Sequence, residues 1–288
     1  MSKTLEQDLN GVPETLLITL YLRAMETQRP DALIKDEKAE ELFQKIGDEG
    51  LYDFNRMKSL HLSEENKLVI ILRNREIDRC TREYLARRPD AVVVHIGCGL
   101  DTRFERVAER NSRVEWYDLD LPHVIDLRRK LMGDEAGRRH LLGCSVLEDE
   151  WLDRVSVHRR CPFLFLAEGV FMYFTEMQVK HLVLTLRDRF PGAELVFDAY
   201  SPIHVWRHNL QYLISKIKFP THWGIWHGQE IEGWGSASPA GAGIRLLGEW
   251  GYFDEETPRL NRIRWLRGIE AAARTFRIYH FQLGKPAE

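Results

Sequence analysis

The sequence predicts an α/β protein: a doubly wound, mostly parallel seven-stranded sheet with an N-terminal helical cap and an antiparallel C-terminal strand pair. Three observations carry this. Between residues 91 and 199, short apolar runs rich in β-branched and aromatic residues alternate with segments of helical spacing, the pattern of right-handed βαβ crossovers. The first ninety residues show helical spacing and few strand formers, so they precede the sheet as a cap. At the other end, "GIRLLGEWGYF" and "RTFRIYHFQL" are rich in strand formers and no crossover helix follows the last one, which suits an antiparallel edge pair.

In chain order, the spacing of apolar residues predicts helices over 13–28, 36–46 and 64–87. A strand at 91–96 leads to a helix at 102–110, a strand at 113–118 to a helix at 122–132 that opens on Pro122, and a strand follows near 139–144. Then come a strand at 162–167, a helix at 175–190 and a strand at 194–199. The small-residue stretch "GWGSASPAGAG" at 233–243 reads as a loop. The whole is expected to be a single domain over 1–288: cap 1–90, sheet core 91–200, a helical and loop insertion 201–243, and closing strands 244–288.

Composition narrows the function classes. With 288 residues, 44% of them hydrophobic, the chain can bury a sizeable core. Its 41 basic and 44 acidic residues leave a formal charge of -3, so no overall pull toward nucleic acid or an anionic membrane is expected. The clusters Arg128-Arg129-Lys130 and Arg138-Arg139 read as solvated helix faces. The N-terminus is neither a signal peptide nor a membrane span, and no segment is apolar for about 18 residues, so a soluble, cytoplasmic protein is expected. Cys80, Cys98, Cys144 and Cys161 lie far apart and read as free thiols. The eleven histidines form no metal-ligand spacing, and no metal is expected.

The chemistry starts at "VVVHIGCGLDTRFERV", where a strand meets the turn Gly97-Cys98-Gly99 and a helical segment follows at once. Glycine lets bare backbone approach a ligand. A tight turn with no ligand, a dinucleotide site and an S-adenosylmethionine site all fit such a turn. A dinucleotide site wants G-x-G-x-x-G, and Thr102 occupies the third glycine position, which weakens NAD without excluding it. S-adenosylmethionine carries an adenosine but no phosphate, and asks for a carboxylate one strand later to accept from the ribose hydroxyls. "EWYDLDLPHVIDLRRKLM" supplies Asp118 and Asp120 there, although two acids before Pro122 also suit a helix start.

Together, "VVVHIGCGLDTRFERV", "WYDLDLPHVIDLRRKLM", "FLFLAEGVFMYFTEMQV" and "FPGAELVFDAYS" closely resemble the class I S-adenosylmethionine-dependent O-methyltransferases that include the leucine carboxyl methyltransferases and the tetracenomycin-type polyketide carboxyl methyltransferases. The likeness runs from "GVPETLL" near residue 11 to "YHFQLG" at 284, and is closer to the bacterial polyketide branch than to the protein-phosphatase branch. It implies a Rossmann-like methyltransferase fold and S-adenosylmethionine as cofactor. It also implies that Arg73 pairs with the carboxylate of the cofactor's methionine portion, that Gly97, with Cys98 and Gly99, lies beneath that portion, and that Asp120 holds the ribose. Ser145 and Val146 fall beside the adenine, where many relatives have Asp-Leu, so the adenine contact passes to the Ser145 hydroxyl or to backbone. Glu168, after the fourth strand, comes near the cofactor's amino end.

Methyl transfer from a sulfonium is an in-line displacement in which the protein aligns the acceptor and excludes water. A carboxylate acceptor is already ionised and needs no base, whereas a hydroxyl would call for one. The sequence leaves both open. Residues 198–256 are rich in aromatics (Tyr200, Trp206, Tyr212, Trp223, Trp226, Trp234 and Trp250), which suits a pocket for a flat or apolar small molecule. His204 is the candidate base and Tyr200 a candidate for orienting the acceptor. No Asn/Asp-Pro-Pro-Tyr follows the fourth strand, which favours oxygen over nitrogen as acceptor. The alternatives are carboxyl methylation of a peptide or protein C-terminus, an NAD-dependent oxidoreductase, and a cofactor binder that has lost its acceptor site. A monomer or homodimer is expected, acting on a small molecule.

Overall fold

The computed structural model describes residues 14–58, 63–133, 137–214, 220–235 and 243–285. Among the described residues, four helices precede the first strand: α1 (Glu14–Thr27), α2 (Glu37–Asp48), α3 (Asn55–Lys58) and α4 (Glu64–Arg87). The alternating part contains β1 (Val92–Ile96), α5 (Arg103–Val107), β2 (Glu115–Asp120), α6 (Pro122–Met132), β3 (Arg139–Gly143), α7 (Glu150–Val155), β4 (Phe163–Ala167), α8 (Glu176–Arg189) and β5 (Ala193–Tyr200). After it come α9 (Pro202–Ile214), α10 (Gln229–Trp234), β6 (Ile244–Gly251), α11 (Glu270–Ala273) and β7 (Phe276–Leu283).

The seven strands form one sheet of order β3-β2-β1-β4-β5-β7-β6. The pairs β2/β3, β1/β4 and β4/β5 are parallel, while β7 runs antiparallel to both β5 and β6. This is the expected fold class. Every residue of β1 and β4 is buried, as the near-continuous apolar runs of a sheet covered on both faces require. A register shift between Leu246 and Gly248 bends β6 at the edge. Among the described residues no helix is long and apolar enough to cross a membrane.

Helix boundaries follow local chemistry. Asp36 caps α2 and Ser63 caps α4 by accepting from Ala39 and Asn66, while Thr175 and Gln178 form a capping box on α8. Pro122 opens α6, and Gly133 at φ +94° closes it. Two boundaries differ from expectation. Helix α5 is only five residues long, and β2 runs on to Asp120 rather than stopping at 118, which puts Asp118 inside the strand. Of the stretch read as a loop, 233–234 end α10 and 236–242 lie outside the described residues, as do 11–13 of "GVPETLL".

The chain divides into two compact units, one built from residues up to 90 and from 97–151, the other from 91–96 and from 152 onward. In the first, Leu17 and Leu20 of α1 and Leu42 and Ile46 of α2 join Leu100, Leu127 and Leu131 in one apolar cluster. Full burial of such side chains stabilises by about 1.5–3 kcal/mol each. Beside it lies a buried ionic cluster of three arginines and three aspartates. Asp36 accepts from Arg23 Nε at 2.9 Å, from Arg106 Nη1 at 2.7 Å and from the Thr102 hydroxyl at 2.6 Å, in addition to capping α2. Asp78 of α4 accepts from Arg103 Nε and Arg106 Nε, each at 2.7 Å, and Asp101 takes Arg106 Nη1 at 2.8 Å and Arg103 Nη1 at 3.1 Å. The charges balance, so burial leaves none of the six uncompensated. In the second unit, Phe171, Phe197, Trp223 and Phe281 pack ring to ring beneath β5 and β7.

Candidate functional site

Gly97 and Gly99 take φ +65° and +49°, the left-handed region in which a side chain is strained. At Gly99 there is a second reason: a Cβ there would stand 2.6 Å from Leu16 Cδ2 of α1. The turn is fixed by its own polar groups. The Leu119 carbonyl at the end of β2 accepts from the Gly97 N–H at 2.7 Å and the Cys98 N–H at 3.1 Å, and the Gly99 N–H donates to Asp120 Oδ2 at 2.8 Å. Cys98 is buried, and burial holds its thiol well above the ordinary value, so it fills space rather than reacting.

The two acids of β2 separate clearly. Asp118 is fully buried and accepts from Trp116 Nε1 at 2.9 Å, Arg128 Nη2 at 2.9 Å and Arg139 Nε at 3.0 Å, so its carboxylate is spent on the interior. Asp120, the last residue of the strand, is half-buried; besides Gly99 it holds the Leu121 N–H at 2.7 Å. An ionised carboxylate has about four acceptor sites, and these two bonds fix its plane. Asp118 is thus structural. The basic clusters also depart from expectation: Arg128 is 1% exposed, and Arg139 pairs with Asp118 and Glu105, so these two are not solvated.

Beyond β3, Ser145 and Val146 are half-buried in a tight turn in which the Ser145 hydroxyl accepts from the Leu147 N–H at 3.2 Å. The Val146 carbonyl is taken by Trp151 Nε1 at 3.1 Å. Arg73 lies mid-way along α4 and is buried, 9% exposed, on a helix that Asp78 ties to Arg103 and Arg106 of α5. A hollow of about 460 Å³ in this unit, walled by Tyr21, Phe43, Tyr52 and Phe54, shares no residue with the turn, and we assign it no chemistry.

In the second unit, Glu168 follows β4 and is half-buried. It does not cap the short 3-10 turn at Phe171–Tyr173, which has no side-chain cap. The next residue, Gly169, has φ +68° and donates its N–H to Asp198 Oδ1 at 2.5 Å. Tyr200 ends β5, and its ring stacks on His204 at 4.3 Å with 14° between planes. Burial, with His208 and Arg207 adding to it, pushes the His204 imidazole down to about 4. The segment around Trp223 is wedged in by backbone: His222 N–H donates to the Met172 carbonyl at 2.7 Å and Ile225 N–H to the Tyr200 carbonyl at 2.9 Å. The aromatic residues do not line one pocket. Trp223 is 4% exposed and belongs to the core, Trp206 on α9 is 65% exposed, Trp226, Trp234 and Trp250 are half-buried, and the Tyr212 side chain lies outside the described part.

Sequence reasoning missed Arg23, Asp36 and Arg128, all of which reach the turn or its flank. The signal for one of them was present: Arg23 stands among the apolar residues of "LLITLYLRAM", where a charge is costly to bury unless it pairs. Among the described residues, no group of three His, Cys, Asp or Glu is placed to hold a metal ion.

Comparison with known proteins finds relatives over most of the chain. The tetracenomycin polyketide synthesis O-methyltransferase TcmP of Streptomyces glaucescens is 34% identical over 246 residues, 85% of each chain. The S-adenosyl-L-methionine-dependent methyltransferase dpfgK of Gibberella zeae is 33% identical over 201 residues, 66% of this chain and 67% of its own. In fold, a duf574 family protein from Streptomyces avermitilis superposes with a TM-score of 0.54 at 14% identity, covering 94% of this chain and 97% of its own. The leucine carboxyl methyltransferase family pattern matches residues 16–187. The protein is therefore an S-adenosylmethionine-dependent methyltransferase. Within that class, the chain belongs to the leucine carboxyl methyltransferase family. The oxidoreductase alternative falls with that membership. The residues present fit the cofactor, since an acceptor-only carboxylate stands fixed beside a turn whose one side chain, Cys98, is buried.

Proposed function

We propose that the protein methylates an oxygen of a small aromatic or polyketide-like acceptor, and that this oxygen belongs to a carboxylate. Bound S-adenosylmethionine supplies an activated methyl group on its sulfonium. Asp120 accepts from the ribose hydroxyls, the Gly97-Cys98-Gly99 backbone underlies the methionine portion, Arg73 pairs with its carboxylate, and Glu168 faces its ammonium. Ser145 serves the adenine: its hydroxyl takes one N–H from Leu147 and keeps a second lone pair.

His204 carries the choice of acceptor. A base works best when its pKa lies near the operating pH, and an imidazole held down to about 4 takes a proton from a phenol poorly. A carboxylate needs none: its oxygen forms the new C–O bond, the S–CH3 bond breaks toward sulfur, and no proton moves. His204, stacked on Tyr200, then acts as a neutral wall. The name of the Streptomyces glaucescens relative, which refers to polyketide synthesis, supports a small acceptor over a protein C-terminus.

The test is to incubate the protein with methyl-labelled S-adenosylmethionine and, separately, 2-naphthoic acid, 2-naphthol and a peptide ending in leucine. Label in a base-labile naphthoate ester, at a rate flat between pH 6 and 8, is the expected result. Label in the naphthyl ether or the peptide alone would overturn the proposal.

A further inference from the structure

Two buried arginines that the proposed chemistry does not use both end on the glycine turn. Arg23 of α1 donates from Nη2 to the Leu100 carbonyl at 2.9 Å while its Nε holds Asp36. Arg128 of α6 donates from Nη1 to the Gly99 carbonyl at 2.9 Å while its Nη2 holds Asp118. Each is thus a relay from a fully buried aspartate through a guanidinium to a backbone carbonyl, and the two carbonyls are consecutive. With Asp120 on the Gly99 N–H, the Gly99 residue is held at both its amide and its carbonyl.

We infer that Arg23 and Arg128 are positioning residues for the methyl donor, holding the glycine turn in its binding conformation before the donor arrives. This rests on the reading that the methionine portion lies over the turn. Glycine loses more freedom on ordering than any other residue, so a turn with two left-handed glycines left loose would be ordered at the expense of affinity. Ordering it in advance removes that cost from binding. Charge-assisted bonds from buried forks suit the task, because each guanidinium is pinned by its aspartate and cannot swing away. Lysine keeps the charge but offers one nitrogen on a flexible stem in place of two in a rigid plane, so it holds carboxylate and carbonyl together less firmly.

Calorimetry on Arg23→Lys and Arg128→Lys with S-adenosylhomocysteine and with adenosine provides the test. Affinity for S-adenosylhomocysteine should fall about tenfold in each, and affinity for adenosine by less than about twofold. In turnover, KM for the donor should rise in parallel while kcat at saturating donor stays within about twofold. Equal losses for both ligands, or no loss in a folded variant, would overturn the inference. Hydrogen exchange on the wild type tests it without any substitution: the Gly99 and Asp101 amides should already be protected without ligand, and protection that arises only on adding S-adenosylhomocysteine would refute pre-ordering. A wild type that binds S-adenosylhomocysteine no more tightly than adenosine would remove the placement of the methionine portion, and the inference with it.

Discussion

Asp118 and Asp120 lie two residues apart on one strand, and the proposed function gives them opposite tasks. Asp120→Ala should weaken S-adenosylhomocysteine by about 1.5–3 kcal/mol, since ribose hydroxyls lose a charged acceptor, and leave folding intact. Asp118→Ala should instead cost about 3–5 kcal/mol of stability, because Arg128 is left buried without its counter-charge. Calorimetry and urea titration on the pair check both; the reverse pattern would exchange their roles. The sequence could not separate them. A spacing of two puts both acids on one face of a strand, and only the strand's true end, two residues later than its apolar pattern suggests, distinguishes them. Arg73 poses a parallel question, for in "LRNREID" it looks like any charged helix residue, whereas the fold buries it. Arg73→Lys should lower affinity for S-adenosylhomocysteine about tenfold and spare adenosine. Equal losses would mean that Arg73 acts through the fold.

At the scale of elements, Asp36 is one of the ties between the cap and the segment that follows the glycine turn. It closes the N-terminus of α2 and accepts from α1, from Thr102 and from α5. Asn is as good an N-cap as Asp, so Asp36→Asn separates the two tasks. Were capping all that mattered, stability would hardly change; because Arg23 and Arg106 lose a shared buried counter-charge, about 3–5 kcal/mol should be lost, read as a lower urea midpoint. A loss under about 1 kcal/mol would show that Asp78 and Asp101 balance the arginines alone. The cap helices were legible because amphipathic spacing is a local signal. The ionic cluster was not, since Asp36, Asp78, Arg103 and Arg106 come from segments far apart in sequence and differ from their charged neighbours only in what the fold brings against them. The 201–256 region was hardest to read: composition makes Trp206 and Trp223 equivalent, and only packing sends one outward and the other into the core.

Over the whole molecule, acid should act in two stages, the first with its sign set by burial and the second by ion pairing. Above pH 6.5, His204 is neutral whether folded or unfolded and costs nothing. Between 6.5 and about 4 the unfolded chain takes up a proton that the folded chain refuses, so stability falls with falling pH by up to about 1.4 kcal/mol per unit, at most about 3 kcal/mol in all. Asp78 governs the second stage. Burial alone would raise its carboxyl, but Arg106 and Arg103 outweigh burial and hold it below 3.8, so its contribution stands above that pH and is lost as pH drops through the lower folded value. His204→Gln should therefore flatten the fall in urea midpoint between pH 6.5 and 4 and leave the steeper loss below pH 4 in place. Comparing variant with wild type at each pH cancels the histidines that do not act on His204, among them His140 and His280, which face Glu115 and Glu194; His208, whose charge bears on His204, is the exception. Parallel curves for the two proteins from pH 7.5 to 4 would show that His204 is not held neutral by the fold. The case for a carboxylate acceptor would lose its support with it, because an imidazole titrating near 6.5 is well suited to take the proton of a hydroxyl.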